Sequence, residues 1–150
     1  TVHDIDAWHR QRGFKRTASV KDTFNPSLTS IGYHFVIYVD GTVHTGRSID
    51  EAGAHVAGFN SRSIGICMIG KDKFNGLQWI ALRDLLNTLK RDLKFTGLIC
   101  GHRDLSPDKD GDGTVEPHEW LKTCPGFNVP AWFASGHIHM AGHIMDVPHV

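Results

Sequence analysis

Residues 33–47 leave this chain the least choice of conformation. Residues 33–39 are β-branched and aromatic, Asp40-Gly41 is a two-residue turn signal, and residues 42–47 return as a partner strand, so an antiparallel hairpin is expected. Residues 63–69 form an apolar run long enough to lie at a sheet centre. Residues 77–92 carry Leu77, Ile80, Ala81, Leu85 and Leu89 as an apolar helical stripe, with Asn75 placed to cap it. Residues 1–12 also read as a helix: Thr1 and Asp4 have capping-box spacing, Val2, Ile5 and Trp8 recur at helical intervals, and Gly13 is a natural stop. Residues 98–100 are expected as a strand that delivers His102 to the sheet's edge, and residues 130–134 as a short helix. Residues 15–30 read as a surface loop and residues 51–60 as Gly- and Ala-rich irregular chain. This order predicts an α/β fold, a single domain with a mixed central β-sheet flanked by helices.

Composition removes several function classes. Sixteen basic against sixteen acidic side chains provide no general attraction to nucleic acid or to a membrane surface. No apolar run approaches the roughly 20 residues of a membrane span. The eleven histidines would turn the chain positive in mild acid. Three cysteines cannot form a fully paired framework; Cys67 and Cys100 lie in apolar runs and read as reduced core residues, which favours synthesis in the cytoplasm.

Chemistry concentrates in residues 101–127. His102 ends an apolar run and Cys124 precedes Pro125, and these two borderline-soft donors together suit zinc better than calcium or magnesium. Zinc at an open site makes hydrolysis near neutral pH possible, and Lys122, two residues from the cysteine, has the charge to stabilise an oxyanion. Between the two donors, residues 108–119 satisfy the twelve-residue EF-hand pattern. Asp108, Asp110 and Asp112 stand at positions 1, 3 and 5, Gly113 at 6, the Thr114 carbonyl at 7 and Glu119 at 12. Residues 101–107 are no helix, so this would be half of an EF-hand, with residues 117–122 as its exiting helix and calcium as a structural ion fixing the spacing of His102, Lys122 and Cys124. The plainer alternative is an acidic surface turn.

The sequence resembles the zinc-dependent N-acetylmuramoyl-L-alanine amidases of phage endolysins and, more distantly, the peptidoglycan recognition proteins. The resemblance is carried in order by Asp6-Ala7-Trp8-His9 with Arg12-Gly13-Phe14, Ile31-Gly32-Tyr33-His34-Phe35, Asp40-Gly41-Thr42-Val43, Gly46-Arg47, residues 53–60, Ser63-Ile64-Gly65-Ile66-Cys67, Gly101-His102-Arg103 and residues 122–127. It implies His102 and Cys124 as zinc ligands, Lys122 as the oxyanion-stabilising group, and Tyr33 as a hydrogen-bonding partner of the attacking water or the tetrahedral intermediate. It implies peptidoglycan as substrate, with His55 lining the muropeptide groove and Asn60 either contacting substrate or bracing the loop. Taken without the resemblance, His102 reads as a hydrogen-bonded structural histidine, Tyr33 as a hairpin aromatic and Lys122 as a solvated helix end. His34 alternates to the opposite face from Tyr33 and is expected to be structural.

A catalytic zinc normally has three protein ligands, and the family places one on a strand upstream of the first helix, a strand this sequence does not contain. Three expectations follow. The sequence lacks its original first strand; or the His-rich tail, residues 136–150, supplies a substitute strand that presents His139 or His137; or no third ligand exists and the chain binds peptidoglycan without cutting it. The expected organisation is an amidase domain over residues 1–135 with the calcium loop inserted at 108–119. A monomer, made in the cytoplasm and acting on the cell wall, is expected.

Overall fold

The computed structural model describes residues 1–145 and divides into two compact units, Thr1–Ile69 and a second from Gly70 onward. Of the tail considered above, residues 146–150 lie outside the described residues.

The first unit opens with α1, Val2–Gln11. The Thr1 hydroxyl accepts from the Asp4 amide and the Thr1 main-chain nitrogen donates to the Asp4 carboxylate, the expected capping box, and Gly13 at φ +80° lets the chain leave the helix. Its inward face is not the one the spacing indicated. Trp8 is 59% exposed, whereas Val2, Ile5, Asp6 and His9 are buried. The residue that Trp8 was expected to be is His9, because a polar pair on that face finds backbone partners inside.

Strands β1, Phe35–Ile37, and β2, Val43–Thr45, pair antiparallel with Val36 opposite His44. β3, Ile66–Met68, joins β1 in parallel with Val36 opposite Cys67, giving the order β2-β1-β3 and the mixed sheet expected, but with the half-buried β3 at an edge and the hairpin strand β1 at the centre, where residues 63–69 were expected. The hairpin loop is longer than the two residues read from Asp40-Gly41. The Gly41 amide donates to the Tyr38 carbonyl and the Tyr38 amide to the Thr42 carbonyl, so three residues, 39–41, make the turn. Gly41 at φ +81° takes the left-handed place such a loop demands, and the Asp40 carboxylate accepts from the Thr42 amide. Val2, Ile5, Leu28, Ile31 and Val36 form the core, with Tyr33, Tyr38, Cys67 and Ile69 packed against it. Cys67 and Cys100 are both free, as expected, and both half-buried, with Cys67 packed on the margin of this core rather than inside it.

Residues 15–30 contain a short helix, α2 (Ala18–Lys21), and wrap around a buried cation rather than lying free on the surface. The Arg16 guanidinium donates to the carbonyls of Phe24, Asn25 and Leu28 and pairs with Glu51 at 2.9 Å. Arg47 reaches the same carboxylate at 3.5 Å. Breaking such a buried pair from one side costs on the order of 3–5 kcal/mol, so an aperiodic stretch is held firmly.

The second unit is built on α3, Gly76–Leu93. The side chain of Asn75 accepts from the Gln78 amide while Gln78 reaches back to the Asn75 amide. Its buried face is Gln78, Trp79, Leu82 and Leu86, while Leu77 and Ile80 are exposed, so the stripe is rotated from the one expected. Trp79 is the cause. Its ring packs against Phe74, Phe127 and Trp132, the last of these on α4 (Val129–Ala134), and its Nε1 donates to the Phe74 carbonyl. Residues 98–100 form no strand, because Leu98 is 75% exposed and no strand neighbour accepts their backbone groups among the described residues. Residues 136–143 form none either. Gly136 and His137 both turn at positive φ, and the tail's strand-like contact is an isolated bridge of Ile144 with Phe74.

Candidate active site

In the first unit the segment 30–34 positions Tyr33, which is half-buried. Its carbonyl accepts from the Arg47 amide at 2.9 Å, and its ring lies 5.4 Å from that of His9 and 6.4 Å from that of His55. His34 is fully buried, as a structural residue is expected to be, and its ring meets that of His55 edge-on at 5.6 Å. Its Nδ1 accepts from the Gly65 amide at 3.0 Å, so its Nε2 must carry the proton and donate to the Glu51 carbonyl at 2.8 Å. Burial first of all, with the Arg47 cation added, depresses its pKa and keeps it neutral, although the Glu51 contacts oppose this.

His55 is half-buried, with Nε2 3.0 Å from the Ser63 hydroxyl, which itself donates to the Phe59 carbonyl. Asn60 braces this loop: its Oδ1 accepts from the amides of His55 and Val56 at 2.8 and 2.9 Å. The glycines around His55 make room for its own ring, since a Cβ on Gly53 would stand 2.2 Å from His55 Nδ1 and one on Gly65 2.5 Å from Cγ.

In the second unit, His102 begins a 3-10 turn, His102–Leu105, that the Asp104 carboxylate caps by accepting from the Gly101 amide. The Arg103 amide donates to the Cys124 carbonyl at 3.1 Å, and Gly101 packs so closely on Pro125 that a Cβ there would meet its ring at 2.7 Å. The two segments therefore run side by side. Burial lowers the His102 pKa and the Lys122 cation lowers it further; burial raises that of the Cys124 thiol while the same cation opposes the rise. One ammonium thus acts on both expected ligands, and His102, Lys122 and Cys124 form a neighbourhood despite the nineteen residues between the first two. Arg103 stacks its guanidinium over Trp120 at 4.3 Å, tying the two ends of the acidic loop.

In that loop the carboxylate oxygens of Asp108, Asp110 and Asp112 converge to within 4.8 Å of one another, and Asp110 also groups with Glu116, His118 and Glu119. The Asp108 carboxylate accepts from the Gly111 and Gly113 amides, Asp112 from Thr114, and the buried Glu119 from Lys109 and Glu116. The exiting helix expected over 117–122 is a single 3-10 turn, Pro117–Glu119, because Trp120 is already extended.

His139 lies elsewhere in its unit, with its ring stacked 5.9 Å from that of Trp79, and His137 packs on Trp132 and Phe133. Among the described residues, the groups of three or more convergent ligating side chains lie in the acidic loop and include none of His102, Cys124 and His139. Sequence reasoning missed His9 as an individual residue, although its i+3 spacing from Asp6 puts both on one face of α1.

The profile of the N-acetylmuramoyl-L-alanine amidase family matches residues 1–127. The chain belongs to this family. The amidase is 44% identical over 114 residues to an uncharacterized protein of Haemophilus influenzae, covering 71% of this chain and 97% of that protein. It is 31% identical over 151 residues to the endolysin of Klebsiella phage KP32, covering 95% of this chain and 80% of the endolysin. Among solved structures it superposes on the N-acetylmuramoyl-L-alanine amidase LysC of Clostridium intestinale with a TM-score of 0.64 at 29% identity, covering 91% of this chain and 74% of that one. The enzyme class is thus N-acetylmuramoyl-L-alanine amidase, with peptidoglycan as its substrate. Among the described residues, no helix of the amidase is long and apolar enough to cross a membrane.

Proposed function

We propose that this amidase is zinc-dependent and works as an endolysin on the cell wall, cutting the amide between N-acetylmuramic acid and L-alanine. The reading is carried by the neighbourhood of His102, Lys122 and Cys124, three residues of hydrolytic chemistry gathered from separate segments. The donors fit the metal: an imidazole kept neutral by burial and a cysteine sulfur, which would give up its proton to bind as the thiolate, are both zinc ligands. His102 and Cys124 would hold the ion, and His139 is the third donor proposed from within this sequence. Bound zinc would supply a Lewis acid for polarising the scissile carbonyl and activating water. Lys122, exposed and cationic, stabilises the oxyanion that develops at the carbonyl oxygen. The Tyr33 hydroxyl hydrogen-bonds the tetrahedral intermediate, and His55 and Asn60 shape the loop that takes the muropeptide. The acidic loop is proposed to hold calcium through Asp108, Asp110, Asp112, the Thr114 carbonyl and Glu119. Supporting this are its converging carboxylates and its Asx-type turns. Such an ion would fix the distance from His102 to Lys122 and Cys124. The amidase is proposed to act as a monomer, with residues 1–135 as its working part.

The second reading, a peptidoglycan-binding module without catalysis, draws on the fact that, among the described residues, His102, Cys124 and His139 do not converge as a three-ligand group. Elemental mass spectrometry of the purified chain after dialysis against metal-free buffer, followed by muropeptide cleavage by wild type and Lys122→Ala, separates the two. About one zinc per chain, with kcat reduced roughly 100- to 1000-fold in Lys122→Ala and muropeptide binding retained, is expected of the enzyme. Zinc near zero in a folded chain that binds muropeptide without cleaving it would establish the module instead. Loss of zinc in His139→Ala identifies the third donor.

A further inference from the structure

We infer that His9 is a positioning residue for Tyr33, holding the tyrosine through the Gly32 amide and through ring contact; this rests on the catalytic reading of Tyr33 above. His9 is 6% exposed and has no other role assigned. Asp6 and His9 present two acceptors one helical turn apart. Asp6 Oδ1 takes the Ser30 and Ile31 amides at 2.6 and 2.7 Å, and His9 Nδ1 takes the Gly32 amide at 2.8 Å. Three consecutive N–H groups entering Tyr33 therefore end on one helix. The carbonyls of the same stretch are held from the other side: Ile31 accepts from Arg47 Nε at 2.6 Å, Gly32 from the Ala54 amide and Tyr33 from the Arg47 amide. Of the side chains that grip this backbone, His9 also lays its ring 5.4 Å from the tyrosine ring, backed by Phe14 at 5.0 Å.

A backbone amide only donates, so the bond to Gly32 requires Nδ1 unprotonated and the proton on Nε2. Protonating Nδ1 would set a donor against a donor. The charged groups facing His9 are Asp6 on its own helix, Arg12 just beyond that helix, and Arg47 following β2; burial first, and then two cations against one anion, hold it neutral. The geometry is thus stable at neutral pH and is lost when His9 becomes charged.

The test compares His9→Phe, which keeps a ring but removes the acceptor, with His9→Asn, whose Oδ1 keeps an acceptor near the position of Nδ1, and with Tyr33→Phe. Two readouts are taken on the full chain: NMR exchange protection of the Gly32 amide with the Tyr33 ring signals, and kcat and KM on a soluble muropeptide. In His9→Phe the Gly32 protection falls at least tenfold, the Tyr33 signals shift, and kcat falls roughly 10- to 100-fold with KM unchanged. His9→Asn restores the protection and most of kcat, and adding His9→Phe to Tyr33→Phe costs little more. Wild-type kcat in His9→Phe beside an impaired Tyr33→Phe overturns the inference alone, as does a loss of equal size in both backgrounds. Wild-type kcat in Tyr33→Phe overturns the catalytic reading of Tyr33, and the inference with it. In a chain that does not cleave, unchanged Gly32 protection and Tyr33 signals in His9→Phe overturn the positioning role by themselves.

Discussion

Gly32 and Gly65 are small for different reasons, and the difference is measurable. A Cβ on Gly65 would stand 2.5 Å from the His55 ring, a side chain with some freedom to yield, whereas one on Gly32 would stand 2.1 Å from the Ala54 carbonyl oxygen, which is backbone. Gly65→Ala is expected to destabilise by about 1–3 kcal/mol, the usual cost of overpacking. Gly32→Ala is expected to cost more, because backbone must move and the bond from the Ala54 amide to the Gly32 carbonyl goes with it. Urea unfolding of both variants checks the order; a Gly32→Ala midpoint equal to wild type would contradict it. At this scale the sequence marked the right blocks but not the right reasons. The Gly- and Ala-rich stretch around His55 reads as irregular chain, yet its Gly53 is small to accommodate the histidine's own ring. Likewise His9 was visible as part of a motif, but its partner is a backbone amide, and backbone amides carry no sequence signal.

Among the elements, the acidic loop offers the sharpest prediction. With calcium about a hundredfold above its Kd, binding stabilises the folded state by about 2.7 kcal/mol, roughly 5–10 °C in thermal midpoint for a chain of this size. Asp108→Ala combined with Glu119→Ala is expected to abolish that calcium-dependent rise and to lower muropeptide cleavage together with it. Calorimetry with calcium and with chelator checks the first part, and an identical rise in the variant would sink the calcium assignment. The twelve-residue spacing was fully legible because each ligating position is set by local chain geometry. The helix expected to follow it was not, since Trp120 leaves the helical region to put its ring under Arg103. The faces of α1 and α3 were displaced for a related reason. Periodicity ranks side chains by hydrophobicity, but a face is decided by what lies opposite it, which for α1 is a row of backbone donors and for α3 an aromatic cluster around Trp79.

For the whole molecule, buried imidazoles set the response to acid. His9 and His34 both titrate below the ordinary imidazole value near 6.5, burial being the main cause in each. The unfolded chain therefore takes up these protons first as pH falls, so stability is complete above about 6.5 and declines as pH drops toward the lowered folded values. A second decline is expected below about 4. Asp6, which burial pushes up, is held down on balance by hydrogen bonds from Ser30, Arg10 and Ile31. Thermal midpoints should be level between pH 8 and 7 and fall between pH 6.5 and 5; a midpoint that rises on acidification would contradict this. The sequence by itself determined the α/β class, the hairpin, a third strand in a mixed sheet, the caps of α1 and α3, the twelve-residue loop and the amidase family. These depend on local propensity, on spacing within one segment, or on an ordered set of short motifs. Only the tertiary structure decided which polar residues go inside, that Arg16 and Glu51 anchor an aperiodic loop, that residues 98–100 and 136–143 are not strands, and that Lys122 acts on both His102 and Cys124. Those outcomes depend on which backbone groups and charges meet across long sequence separations, and a strand or a buried ion exists only where its partner does.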